Sequence, residues 1–186
     1  PKMSQEEIVV PKGWKNIKVS DIVESRLQGL FHSEGYKPEG IPLLRITDLD
    51  DNGNIKYDNI PKIETSQKNI DRFQLKKGDI VIARTGGAGR SAIVSRENHP
   101  LLFAGYLIRF RFKQEVLPQF MSYFLRSGKA QNQFFSSIHG TGNKNINAQN
   151  VLNLDILLPP LSIQKQIIQK LDHILVELEV KKKEIL

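Results

Sequence analysis

The sequence contains no cysteine, and none of its apolar runs approaches the roughly 20 residues that a membrane-spanning helix requires. The lack of cysteine excludes a disulfide scaffold, a zinc ribbon and a thiol nucleophile, and it favours the reducing cytoplasm. No basic and apolar leader is present, so we expect a cytoplasmic protein that does not associate with membranes. The length of 186 residues, 39% of them hydrophobic, suits one packed domain with an appendage.

Recognisable catalytic groups are equally scarce. The four histidines share no helical or strand spacing, and no pair of acids followed by lysine lies on a predicted strand, as it would in many nucleases. Residues 86–89 are rich in glycine and follow a predicted strand, but a dinucleotide-binding loop needs a helix next, and residues 91–94 predict another strand. We therefore expect no catalytic residue, no metal and no cofactor.

Positive charge is present in excess and is concentrated in the middle of the chain. The net charge is +7, and the segment from Lys76 to Lys113 holds eight basic residues against two acidic ones, which gives it +6. A basic domain of this kind predicts a polyanionic partner, although solvated strand faces also carry such residues. Residues 107–112 alternate apolar side chains with Arg109 and Arg111, which predicts a half-buried strand with a cationic outer face.

The hydrophobic pattern predicts an α+β fold: a mixed β-sheet domain with short helices, followed by one long C-terminal coiled-coil helix. Pro118 fits the start of a short helix, and Gly128 should end or kink it before Phe134 and Phe135 bury a further face. Trp14 is expected to be a core anchor. The predicted strands cover residues 17–19, 41–46, 80–83, 91–94, 107–112 and 154–158.

After two prolines at 159 and 160, Ser162 is a plausible N-cap for the long helix. Its apolar positions follow the spacing of a heptad seam, which calls for a partner helix. These positions are Ile167, Leu171, Ile174, Leu178 and Ile185.

Three polar loops carry the side chains best suited to nucleic acid. The loop at 84–90 sets guanidinium groups beside glycines, the loop at 141–147 supplies a lysine and amides, and the loop at 28–40 mixes aromatic and polar side chains. An ordinary hairpin turn and simple turn-forming asparagines are the structural alternatives. The candidate contacts are Arg84, Thr85, Gly86, Arg90, Asn143, Lys144, Asn145, His32, Tyr36 and Lys37.

Five segments in order resemble half of a specificity subunit of a type I restriction–modification system. They are a Pro-Lys-Gly-Trp opening, a Gly-Ile-Pro strand ending in Asp, a Gly-Asp strand with Arg-x-Gly and Gly-Arg, a Gly-rich Lys-Asn-Ile loop, and a Pro-Pro-x-x-x-Gln helix start. They occupy residues 11–22, 40–49, 78–90, 141–147 and 157–166.

This resemblance implies a non-catalytic protein that recognises double-stranded DNA and assembles with methyltransferase (M) and endonuclease (R) subunits. It divides the chain into a flexible N-terminal arm (1–10), a target recognition domain (11–160) and a spacer or dimerisation helix (161–186). One domain and one helix are about half of what such a subunit usually contains, so the chain is either a truncation or a natural half-subunit. The heptad seam favours a homodimer that recognises a symmetric split sequence. The alternatives are a DNA methyltransferase or nuclease in its own right, and a coiled-coil adaptor that binds only protein.

Overall fold

The strands form three small sheets in the computed structural model, which describes residues 10–85, 87, 89–96, 100–136 and 145–185, without the side chain of Ile185. The strands are β1 (Lys15–Lys18), β2 (Val23–Gln28), β3 (Ile41–Leu44), β4 (Lys62–Ile63), β5 (Ile80–Ala83), β6 (Ser91–Ile93), β7 (Leu102–Phe103), β8 (Leu107–Phe112) and β9 (Asp155–Leu158). The helices are α1 (Gln67–Phe73), α2 (Pro118–Arg126), α3 (Gly128–Ser136), α4 (Ala148–Leu152) and α5 (Leu161–Ile185).

The central sheet has the order β2-β8-β5-β6 and is antiparallel throughout. Strand β5 is buried on both faces, which explains its unbroken apolar sequence. Ile80 and Ile82 face the short helices, whereas Val81 and Ala83 face the sheet β4-β3-β7, in which β3 and β7 run parallel. We call these two interiors the helix-side core and the sheet-side core.

Strand β8 corrects one prediction, because its arginines do not form a cationic outer face. Arg109 is only 8% exposed, and its Nη2 donates to the hydroxyl of Ser25 over 3.2 Å. Arg111 donates through Nε and Nη2 to the two oxygens of buried Asp79, at 2.7 and 2.8 Å. Burial lowers the pKa of Arg109, and the hydrogen bonds to Asp79 raise the pKa of Arg111. The arginine face is covered because it also carries Leu107, which belongs to the sheet-side core.

A separate two-stranded ribbon joins the two ends of the domain. Strands β1 and β9 pair antiparallel, with Lys15 opposite Leu158 and Lys18 opposite Asp155. The predicted first strand is therefore shifted towards the N-terminus, and Val19 begins a 3-10 turn instead. The ribbon leads directly into α5.

Several sequence details differ from expectation, although the predicted fold class of mixed sheets, short helices and a long C-terminal helix is confirmed. Helix α5 begins at Leu161, so Ser162 lies inside its first turn and is not the N-cap. Trp14 is half-buried and does not anchor either core. Phe134 is fully buried, but Phe135 is 43% exposed. The break at Gly128 is confirmed, since α2 ends at Arg126.

Candidate nucleic-acid interface

The glycine-rich loop is the turn of the β5–β6 hairpin, and it holds Arg84 and Arg90 on its two sides. The backbone N–H of Ala83 donates to the carbonyl of Arg90 at 2.8 Å, which closes the hairpin. Gly89 has a φ of 87°, and a Cβ there would lie 3.1 Å from the side chain of Gln131. A larger residue would therefore be strained and crowded at this position. Gly86 is outside the described residues, and Thr85 is half-buried beside Arg84.

The two hairpin arginines differ in their surroundings. Arg90 forms a 3.0 Å ion pair with Asp51, and their side chains are 38% and 88% exposed. An exposed pair of this kind contributes about 0–1 kcal/mol, so another anion can displace Asp51 at little cost. Arg84 lines a cleft with Arg26, Gln28, Ile108 and Asn147, which we call the arginine cleft.

The loop at 28–40 forms one wall of a second cleft, which we call the aromatic cleft. Its lining includes Phe31, His32, Tyr36, Arg45 and Tyr106. Phe31 is 77% exposed, an unusual position for a large apolar ring. The His32 Nε2 atom is buried and has no hydrogen-bond partner among the described residues. Aromatic faces and arginine beside one another are groups that stack on bases and bind their edges.

Within the aromatic cleft, one arginine is held in a fixed orientation. The Arg45 guanidinium donates to Asp48 through Nε at 3.2 Å and through Nη2 at 2.8 Å, and it lies 5.7 Å from the centre of the Tyr36 ring. These hydrogen bonds raise the pKa of Arg45, so the group stays charged. Lys37 lies outside this arrangement, where its backbone N–H donates to the carbonyl of Lys62 at 2.9 Å.

The arginine hairpin lies beside the aromatic cleft, and Tyr106 contacts both. Its carbonyl accepts a 2.9 Å hydrogen bond from the backbone N–H of Arg84, while the residue itself lines the aromatic cleft. A Cβ on Gly87 would also lie 3.8 Å from Ile46, another residue of that cleft. The structure thus brings the predicted residues His32 and Tyr36 into the neighbourhood of the arginine hairpin.

The third predicted loop is only partly described. Asn143 and Lys144 lie outside the described residues, and Asn145 is exposed. The backbone N–H of Ile146 donates to the carbonyl of Arg84 at 2.8 Å, which places the end of this loop against the hairpin. The Asn147 side chain caps α4 by accepting from the Asn150 N–H at 3.0 Å, so its oxygen is already engaged.

Three residues of this surface were not singled out from the sequence: Arg26, Arg45 and Tyr106. Arg45 was placed in a buried strand, but β3 ends one residue earlier and the guanidinium is one-third exposed. Arg26 lies on a strand with few apolar residues, which the pattern did not predict. In the sequence, the only feature that could have indicated these residues is a cationic or aromatic side chain close to a loop.

Helix α5 is fixed to the domain at its first turn. The fully buried Gln164 accepts from the Leu117 N–H at 2.8 Å, and its amide donates to the carbonyls of Glu115 and Pro159, each at 2.9 Å. Further along, the Tyr123 hydroxyl donates to Asp172. These contacts set the direction in which the helix leaves the domain.

The predicted heptad residues fall into two groups along α5. Ile167 packs against the helix-side core and Leu171 is half-buried. Ile174 and Leu178 are 47% and 49% exposed. Ile185 is helical, with its side chain outside the described residues. The second half of the helix therefore presents apolar side chains to solvent.

The described residues contain neither a group of metal ligands nor a helix that could cross a membrane. Among them, no three or more histidine, aspartate or glutamate side chains are grouped so that they could hold a metal ion. None of the helices in the described ranges combines the length and the apolar character needed to cross a membrane.

The sequence from residue 11 to residue 186 matches the type I restriction modification DNA specificity domain. The chain belongs to this family, and the resemblance found in the sequence is confirmed. The specificity subunit of the type I restriction enzyme EcoKI from Escherichia coli K12 is 26% identical over 167 residues, covering 87% of this chain and 36% of the relative.

Other relatives give the same result. The MjaVIII specificity subunit of Methanocaldococcus jannaschii is 27% identical over 181 residues, which is 94% of this chain and 42% of that protein. The crystal structure of the HsdS subunit from Thermoanaerobacter tengcongensis has the same fold, with a TM-score of 0.72 at 17% identity over 98% of this chain and 42% of its own. The chain thus spans about two fifths of the length of the proteins it matches.

Proposed function

We propose that this chain recognises double-stranded DNA as part of a type I specificity subunit. Residues 11–160 would be the target recognition domain and residues 161–186 the spacer helix. The observation that carries the proposal is the adjacency of the aromatic cleft and the arginine hairpin: Tyr106 lines the cleft, and its carbonyl accepts from the Arg84 N–H. Family membership over residues 11–186 supports the same role.

The two parts of this surface suit different contacts. Arg84 and Arg90, together with Lys144, would make charge-assisted bonds that fix the register on the phosphate backbone. Residues of the aromatic cleft, among them Tyr36 and His32, would contact base edges and so supply sequence discrimination. Thr85, Gly86, Lys37, Asn143 and Asn145 complete the proposed set.

We further propose that α5 pairs with the same helix of a second copy and that the assembly binds M and R subunits in the cytoplasm. The exposed Ile174 and Leu178 support a helical partner, because water would otherwise cover a continuous apolar stripe. A two-fold dimer would present two identical recognition surfaces to a symmetric, interrupted target.

The chain would carry no catalytic activity of its own. The relatives reported above are named as specificity subunits, which supports recognition over methyl transfer or cleavage. Incubation of the chain alone with DNA and labelled S-adenosylmethionine tests this. Transfer of label to the DNA would refute the non-catalytic role and favour the enzyme alternative.

The experiment for recognition is selection of duplexes from a random pool, followed by anisotropy titration of an enriched and a scrambled duplex over a range of salt concentrations. We expect enrichment of a short motif and an affinity that falls steeply with salt. Tyr36→Ala should weaken binding to the enriched duplex more than to the scrambled one. Binding that shows neither enrichment nor salt dependence would favour the protein-only adaptor.

Light scattering tests the pairing of α5. We expect a mass near twice 21.2 kDa for the wild type and a monomer for Ile174→Lys with Leu178→Lys. Val176→Lys is the matched control, since Val176 is 61% exposed but lies on the other side of the helix from Ile174, two residues away. A wild-type monomer at all concentrations would refute self-association.

A further inference from the structure

Most arginines of this protein have a partner for their guanidinium group. Seven of the nine arginines in the sequence form an ion pair, a hydrogen bond or a contact with an aromatic ring. These are Arg45, Arg72, Arg90, Arg96, Arg109, Arg111 and Arg126. Arg26 and Arg84 are the exceptions: in the part of the chain that the structure describes, neither guanidinium has such a contact.

Both residues line the arginine cleft. Arg26 is on the edge strand β2, and Arg84 directly follows β5, with β8 between the two strands. Arg26 shares a row with Phe110 and Ile80, and Arg84 follows four residues later. The two Cα atoms are therefore about 10 Å apart across the strands and about 13 Å apart along them, so only extended side chains that converge in the cleft can hold one tetrahedral anion. Within the described chain, the lining of this cleft includes no acidic residue.

The backbone around both arginines is held by hydrogen bonds. Arg26 lies opposite Phe110 in the β2–β8 ladder. The carbonyl of Arg84 is bonded to the Ile146 N–H at 2.8 Å, and Asn147 on the opposite wall is held by its cap on α4. Two like charges without a counter-ion repel each other, and an anion bound between them would remove this cost.

We propose that Arg26 and Arg84 together bind a single phosphate group of the DNA backbone. This inference rests on the proposed DNA recognition and adds Arg26 as a contact residue. A phosphate is favoured over a base edge because no carboxylate of the described residues neutralises either arginine or fixes its plane, in contrast to Arg45, whose charge is balanced by Asp48. An uncompensated guanidinium interacts most strongly with a full negative charge.

The test is the salt dependence of binding to a short fluorescent duplex, measured by anisotropy for the wild type, Arg26→Gln, Arg84→Gln and the double variant. The slope of log K against log salt should fall by about 0.9 in the double variant, the amount expected for one phosphate. Each single variant should lose affinity equally for the enriched and the scrambled duplex. Because both side chains hold one phosphate, the second substitution should cost less in the background of the first.

Arg72→Gln is the matched control, because Arg72 lies on α1 with its guanidinium 5.2 Å from the Phe73 ring centre. It should leave the slope unchanged, and far-UV circular dichroism should confirm that every variant is folded. An unchanged affinity for Arg26→Gln, a loss confined to one sequence, or a fall in slope of about 1.8 in the double variant would each overturn the shared phosphate.

These outcomes are distinct from failure of the proposed function. A wild type that binds no duplex at any salt concentration would remove DNA recognition itself, and the phosphate site with it. If the wild type binds the duplex with the expected salt dependence and the Arg26→Gln variant binds it equally well, only the shared phosphate site is refuted. Inorganic phosphate serves as the second probe, and it should compete for the wild type more effectively than for the double variant.

Discussion

Replacing Gln164 by leucine should loosen the attachment of α5 to the domain. The wild-type side chain is completely buried and satisfies three backbone groups, the N–H of Leu117 and the carbonyls of Glu115 and Pro159. A buried polar group left without a partner costs about 1–3 kcal/mol. Three such groups at the lower half of this range cost about 3–6 kcal/mol, and the buried leucine regains about 2 kcal/mol.

The net expectation for Gln164→Leu is a loss of about 1–4 kcal/mol in the free energy of unfolding, against the 5–15 kcal/mol of an ordinary domain. Urea unfolding, followed by circular dichroism and by the fluorescence of Trp14, measures this loss. Gln166→Leu is the matched control: Gln166 is exposed in the same helix, so its replacement should change stability by less than about 0.5 kcal/mol. A cost below about 1 kcal/mol for Gln164→Leu would refute the reasoning, because the three hydrogen bonds would then contribute no net stability.

Three further predictions concern the domain itself. Asp79→Asn removes the charge that pairs with Arg111. Because the arginine is 27% exposed, we expect the free energy of unfolding in urea to fall by about 2–3 kcal/mol, less than for a fully buried pair. An unchanged unfolding midpoint would contradict this. Burial, and secondarily the hydrogen bond to Asp172, raises the pKa of Tyr123. Folded protein thus holds that proton more tightly, and the associated stability should be complete below about pH 10 and decline above it; Tyr123→Phe should abolish this alkaline decline, and its persistence would show another cause. Gly29→Ala would place a Cβ 2.2 Å from a backbone carbonyl oxygen, so the midpoint of thermal unfolding should fall. A midpoint equal to that of the wild type would show that the backbone can shift without loss of stability.

Local patterns predicted individual strands well but could not predict what covers them. The alternation in β8 correctly placed Phe110 in the helix-side core. The same alternation left Arg109 on a face assumed to be solvated, and the sheet β4-β3-β7 covers that face. Its strands are only two to four residues long, and such short segments carry little periodicity of their own. Strand β2 and helix α1 escaped prediction for a related reason, since both are mostly polar.

The candidate site divides in the same way. The glycine-rich loop between Arg84 and Arg90 was predicted to lie between two strands, because turn chemistry is local, and the hairpin turn given as its structural alternative is what forms there. The neighbourhood of Arg26 and Arg84 was not predictable, since it depends on the order of strands in the central sheet. The fixed orientation of Arg45 depends on a 3-10 turn at Ile46–Asp48 that brings the Asp48 carboxylate back to it.

The pairing of β1 with β9 makes residues 15–158 easy to exchange as one unit. Lys15 faces Leu158 across the ribbon. The chain therefore enters and leaves the domain at neighbouring points, with the Cα atoms of the two residues about 5 Å apart. A unit connected in this way can be inserted into, or exchanged between, longer chains without stretching its neighbours, because only one short junction has to be matched. Under the proposed function, exchange of this unit would change the DNA preference and leave helix α5 unchanged.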